Sequence, residues 1–125
     1  IKDALDTNTS TFKAELNRLK LILSEVGKDK NSLVLIDEML RGTNSGDKYE
    51  GSKAFIQRMV DLQIPTLFAT HDLQLSEMEN DRGDKIKNHH FDIFISATDM
   101  KFDYKLKEGP CNVFNAAVLL KEIGL

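Results

Sequence analysis

Leu33-Val34-Leu35-Ile36 is an unbroken aliphatic run that stops at two adjacent carboxylates, Asp37 and Glu38. Such a run is the pattern of a strand covered on both faces, and doubly covered strands belong mostly to parallel sheets with helices packed on them. An unpaired carboxylate is costly to bury, so the acids mark the point where the strand leaves the sheet. The pattern returns in Pro65-Thr66-Leu67-Phe68-Ala69, which closes in Thr70-His71-Asp72. Phe55, Ile56, Met59 and Val60 between the two runs keep helical period until Gln63-Ile64-Pro65, and Asp47-x-x-Glu50 supplies a capping box for that helix. Strand, helix, strand with a crossover of roughly 25–30 residues predicts a βαβ unit with parallel strands. Both polar ends then share one sheet edge, where ligands of open α/β sheets bind.

Upstream, Phe12, Leu16, Leu19 and Leu23 form the stripe of an amphipathic helix over Thr11 to Val26. Thr7-Asn8-Thr9-Ser10-Thr11 offers capping side chains before it, and Gly27 a stop after it. Downstream, a short helix is expected around Leu73 to Met78 and a loop at Asn80 to Asp84. Phe91 to Ile95 and Phe102 to Leu106 then alternate with period two around Thr98-Asp99-Met100-Lys101, a hairpin pattern. Val113, Ala117 and Leu120 give a last amphipathic helix. The expected class is α/β: parallel strands with flanking helices, then an antiparallel hairpin and a helix.

Composition narrows the function. The chain of 125 residues carries 17 basic and 20 acidic side chains, a net charge of −3, and lacks the concentrated basic surface that phosphate backbones require. Any DNA contact is expected to lie in another part of the polypeptide. Cys111, the lone cysteine, makes no internal disulfide and no thiolate zinc site, which fits a reducing, cytoplasmic setting. No apolar run approaches the ~18–20 residues that span a bilayer, so no membrane partner is expected.

Asp37, Glu38 and His71, on neighbouring strand ends, can form a site. One carboxylate can hold a hard cation such as Mg²⁺ while its neighbour polarises a water, and the imidazole can bond a phosphoryl oxygen. The bland alternative is a pair of solvated strand ends, with His71 bonded by its neighbours. His89-His90 lacks a third ligand at helical or hairpin spacing, and Cys111 lacks a partnering base.

Longer strings are more specific. Ser32-Leu33-Val34-Leu35-Ile36-Asp37-Glu38-Met39-Leu40-Arg41-Gly42-Thr43-Asn44-Ser45 resembles the Walker B and D-loop segment of the MutS family of DNA mismatch-repair ATPases. Ser10-Thr11-Phe12-x-x-Glu15 is similar to the family's signature segment, Phe68-Ala69-Thr70-His71 to its switch histidine, and Asn88-x-His90 to its N-x-H motif. The resemblance implies the carboxyl-terminal half of an ABC-type P-loop ATPase domain over residues 1–125. Asp37 would bind Mg²⁺ through water, Glu38 would position or deprotonate the attacking water, and His71 would sense the γ-phosphate of ATP. Ser10 and Thr11, opening a helix, would meet the nucleotide of the opposite subunit at its free N–H groups. Arg41, Gly42, Thr43, Asn44 and Ser45 would line the subunit contact of a homodimer, or of a dimer with a MutS-like partner.

Leu40 stands where the family usually has glycine, Asn44 replaces a serine, Asp72 replaces a common tyrosine, and Gly46 to Gly51 looks longer than the usual turn, which points to a divergent branch. No G-x-x-x-x-G-K-[ST] loop is present, so the backbone cradle for the phosphates is expected upstream of Ile1, and the isolated chain is expected to be nearly inert toward ATP. Two other readings stay open at this point. One is a catalytically silent dimerisation module of the same fold; the other is a metal-dependent phosphoesterase using Asp37, Glu38, His71, His89 and His90.

Overall fold

The computed structural model describes residues 2–96, 99–111 and 123–125. The chain divides into two compact units, Ile1–Leu75 and Ser76–Leu125. The first holds α1 (Lys2–Lys28), β1 (Val34–Asp37), α2 (Ser45–Asp61) and β2 (Thr66–Ala69). β1 and β2 pair in parallel, with Val34 opposite Thr66 and Asp37 opposite Ala69, as the expected crossover requires. The class is mixed α/β, as expected.

Val26, Val34, Met39, Leu40, Phe55, Met59 and Ile64 form the buried core of this unit, with Phe12, Leu19, Ile22, Ile36 and Phe68 packed against it. The buried stripe of α1 is therefore Phe12, Leu19, Ile22 and Val26; Leu16 and Leu23, expected in the stripe, are exposed. Spacings of seven, three and four residues return to one face of a 3.6-residue helix, whereas Leu16 and Leu23 sit to the side of it. Double burial of β1 is also corrected. Val34 and Ile36 face the core, but Leu35 and Leu67 on the other face are each 65% exposed. Both helices contribute to one core, and strand side chains alternate, so one face of this pair is left uncovered among the described residues.

Two helix termini differ from expectation. α1 runs unbroken through Ser10 and Thr11 instead of starting there. Capping residues favour a start but do not compel one, and no glycine or proline interrupts residues 2–11. α2 is capped by Asn44, not Asp47: Asn44 Oδ1 accepts from the Asp47 N–H at 2.9 Å, and Asn44 Nδ2 donates to Asp47 Oδ2 at 2.8 Å. Asp47 thus occupies the third helical position of the box, not its first. α2 ends as a Schellman turn, in which Gln63 takes φ 58° and the Ile64 N–H reaches Met59 O at 3.0 Å.

A 3₁₀ turn, Leu73–Glu77, crosses the boundary between the units. The second unit continues with α3 (Met78–Arg82) and the antiparallel strands β3 (His89–Ser96) and β4 (Asp99–Glu108). The loop expected from Asn80 begins only at Gly83, because nothing earlier breaks the helix. The hairpin is present, but Asp99, Met100 and Lys101 belong to β4 instead of the turn, with Ser96 opposite Asp99. A bulge interrupts the register between Phe91 and Ile93. Asn88 and His90 tie this unit together: Asn88 Nδ2 donates to Ser76 O at 2.7 Å, Asn88 N to Glu79 Oε1 at 2.7 Å, and His90 Nδ1 lies 2.8 Å from Gly109 O. The expected helix at Val113 to Leu120 lies outside the described residues. No helix among the described residues is long and apolar enough to cross a membrane.

Candidate functional site

The last ladder bond of the parallel pair runs from the Glu38 N–H to Ala69 O at 2.8 Å. At Glu38 the chain leaves the strand with φ 58°, a left-handed conformation that costs a residue with a Cβ of the order of 1–2 kcal/mol. That turn directs the side chain toward the continuation of β2. Glu38 Oε1 accepts from Thr70 Oγ1 at 2.9 Å, and Oε2 accepts from the backbone N–H of His71 at 2.9 Å. The two strand ends singled out in the sequence are therefore joined through the Glu38 carboxylate.

A further group completes the set. Lys48 Nζ, in the first turns of α2, lies 2.9 Å from Glu38 Oε1. The Glu38 side chain is only 11% exposed, so this pair sits in a partly water-excluded setting. Burial works to raise the Glu38 pKa, but the Lys48 hydrogen bond, the His71 N–H, the Thr70 hydroxyl and the Lys48 charge outweigh it. Together they hold the carboxyl below the ordinary glutamate value. A depressed folded-state pKa means that the stabilisation is complete above the unfolded value and is lost as pH falls through the folded one. The stability advantage of the wild type over Glu38→Gln is thus expected to be constant near neutrality and to shrink only below about pH 4.5. Urea midpoints measured from pH 7 to pH 3 check this; an advantage that grows with acid would contradict it.

Asp37, next to Glu38, is exposed, and no donor or cation meets its carboxylate among the described residues. His71 is exposed too, and with Ser45, Gly46, Lys48, Asp72 and Gln74 it lines an open depression of about 330 Å³. The loop from Arg41 to Ser45 is anchored at both ends. Arg41 Nη2 donates to Asp37 O at 3.1 Å, the Arg41 N–H donates to Glu15 Oε2 at 3.1 Å, and Thr43 N reaches Leu40 O at 3.3 Å. Leu40, where the resemblance expects glycine, takes φ 58° and is buried. Its side chain occupies space left by Gly51, where an added Cβ would come within 2.4 Å of Leu40 Cδ1. Burial of a leucine side chain is worth about 1.5–3 kcal/mol and so offsets the backbone strain.

Ser10 and Thr11 lie within α1 with exposed side chains. Their N–H groups are part of a continuous helix, which removes the free-amide argument for phosphate binding there. No hydrogen bond among the described residues joins them to Glu38, Thr70 or His71. His90 Nε2 pairs with Asp92 Oδ1 at 3.1 Å, and no cluster of three potential ligands gathers around His89 and His90 among the described residues. Lys48 and Glu15 were the partners not foreseen from sequence. Helical spacing from the Asn44 cap was the signal for the first, since it turns Lys48 back toward the strand end.

Residues 1–119 match the family model for MutS domain V. The chain belongs to the MutS family. It is 34% identical over 112 residues to the DNA mismatch repair protein MutS of Persephonella marina, a match covering 88% of this chain and 12% of that protein. It is 30% identical over 121 residues to the DNA mismatch repair protein MSH4 of Arabidopsis thaliana, covering 97% of this chain and 15% of that one. MutS protein homolog 4 of Homo sapiens is 34% identical over 113 residues, 86% of this chain and 12% of the human protein. The chain thus spans about an eighth of the length of these MutS-family relatives.

Proposed function

We propose that this chain supplies the water-activating and phosphate-sensing half of an ATP-hydrolysing site in a MutS-type protein. In this reading residues 1–125 form the carboxyl-terminal half of the ATPase domain, and another part of the polypeptide provides the P-loop. Turnover at a dimer interface is coupled to mismatched or otherwise structured DNA held by other segments. The observation that carries the proposal is the Glu38 carboxylate bridging to Thr70 and His71 across the two strand ends.

Glu38 orients the attacking water and accepts its proton; two donors hold Oε1 and one holds Oε2, so Oε2 keeps a lone pair for that water. His71, exposed at the depression, hydrogen-bonds a γ-phosphate oxygen. Asp37, an exposed hard carboxylate with no competing cation among the described residues, fits a Mg²⁺ site through water. The ion when bound would neutralise phosphate charge. Arg41 to Ser45 face the partner subunit, and the Ser10 and Thr11 hydroxyls, instead of helix-end amides, meet the nucleotide across the interface.

The test is steady-state hydrolysis by the full-length protein. Mg²⁺-dependent ATP turnover, lowered at least about tenfold by His71→Ala while ATP is still bound, is the expected result. A full-length protein that binds ATP without hydrolysing it, or binds none, would leave a silent dimerisation module, and turnover that ignores His71→Ala would remove the phosphate-sensing role from His71.

A further inference from the structure

Resting on the ATPase reading, we infer that Lys48 is a positioning residue for Glu38, one that ties the placement of the 41–45 loop to the placement of the carboxylate. Two of the three donors to Glu38 ride on the strand beside it. Thr70 and His71 follow β2 directly, and β2 is registered to β1 through Ala69, so these two contacts are fixed by the sheet. Lys48 is different. It reaches the same oxygen as Thr70 from the first turns of α2, which follow Glu38 in the chain by way of residues 39–44, while the later turns of α2 are packed in the core through Phe55 and Met59.

The start of α2 moves with that loop. Asn44 caps the helix through Asp47, and the first helical bond, from the Lys48 N–H to Asn44 O at 2.9 Å, makes the cap and Lys48 one rigid turn. Arg41 is held separately by Glu15 of α1 and by Asp37 O. Displacement of the loop therefore carries the Lys48 ammonium across Oε1, while the sheet contacts stay in place. Because Glu38 is strained and mostly buried, its carboxylate orientation is set by its partners, and a shift of about 1 Å in a reacting group is enough to cost up to 10²-fold in rate.

The experiment measures kcat and ATP affinity of the full-length protein. Lys48→Met is expected to lower kcat about tenfold or more with ATP affinity within about threefold of wild type, and Lys48→Arg to recover most of the loss. Lys48→Gln, which keeps a donor without the charge, should show the same split and serves if the methionine variant does not fold. Asn44→Ala should lower kcat in the wild type and add nothing in the Lys48→Met background, the mark of a shared route. A Lys48→Met kcat within twofold of wild type, a loss falling on ATP affinity instead, or an arginine variant as slow as the methionine one would overturn the inference. Full additivity of Asn44→Ala would sever the link to the loop. In each case Glu38→Gln is run alongside: if it stops turnover, the ATPase reading survives; if it turns over like the wild type, that reading fails first.

Discussion

Full-length protein carrying Glu38→Gln is expected to bind ATP and hydrolyse it roughly a hundred- to ten-thousandfold more slowly, the range for removing a positioned general base. The amide keeps the size and trigonal shape of the carboxylate, so nucleotide affinity should change little. What it loses is basicity. It also loses an acceptor, since the carboxylate takes donors on both oxygens: Thr70 and Lys48 on Oε1, the His71 N–H on Oε2. A glutamine can offer its oxygen to only one side, and its NH₂ must then face a donor on the other. Thr70 can rotate its hydroxyl; the His71 amide and the Lys48 ammonium cannot become acceptors. The variant should therefore cost about 1–3 kcal/mol of stability as well as the rate. Measuring ATP binding and urea midpoints beside turnover separates the two effects. Wild-type turnover with a lowered midpoint would make Glu38 a structural brace and not the base.

The strand ends were legible in the sequence because an unpaired charge is costly to bury. An aliphatic run that meets Asp37-Glu38 has to leave the sheet there, where Asp37 is exposed and Glu38 finds donors in Thr70, His71 and Lys48, and the second run, ending at Thr70-His71, has to end beside it once the connection is a helix. The cap lies at Asn44, three residues before the Asp47 that the sequence pattern favours, because Asp47 and Glu50 also satisfy a capping pattern and only the first turn's geometry decides between them. The exposed outer face of β1 was not legible, since an aliphatic run records what a strand is built to pack against and not what is packed on it among the described residues. The Lys48 contact was hidden for another reason. Charge pairs across a loop depend on the path of residues 39–44, and that path turns on two left-handed residues, Glu38 and Leu40, neither of them a glycine. Leu40 in place of glycine was the visible clue, and Gly51, which makes room for it, was its unrecognised counterpart.

Met59 is where the packing that holds this site in place is most concentrated. It is 1% exposed, in the core shared by α1, β1, α2 and the Met39-Leu40 segment. Its backbone carbonyl also closes the Schellman turn that leads into β2. Met59→Ala removes the transfer free energy of the lost methylenes and thioether and leaves a cavity that surrounding side chains only partly fill. The expected loss is about 2–5 kcal/mol in the unfolding free energy of this chain. Met59→Leu, which conserves volume, should cost less than about 1.5 kcal/mol. Urea unfolding followed by far-ultraviolet circular dichroism reads both. Because Met39 and Leu40 share that core and lead from Glu38 into the loop, relaxation into the cavity should also loosen the Glu38 turn. Amide exchange at Glu38, Leu40 and Arg41 is thus expected to accelerate in Met59→Ala more than in Met59→Leu. An alanine variant as stable as the leucine one, with unchanged exchange in that segment, would show that the turn is held by its own hydrogen bonds and not by the core beneath it.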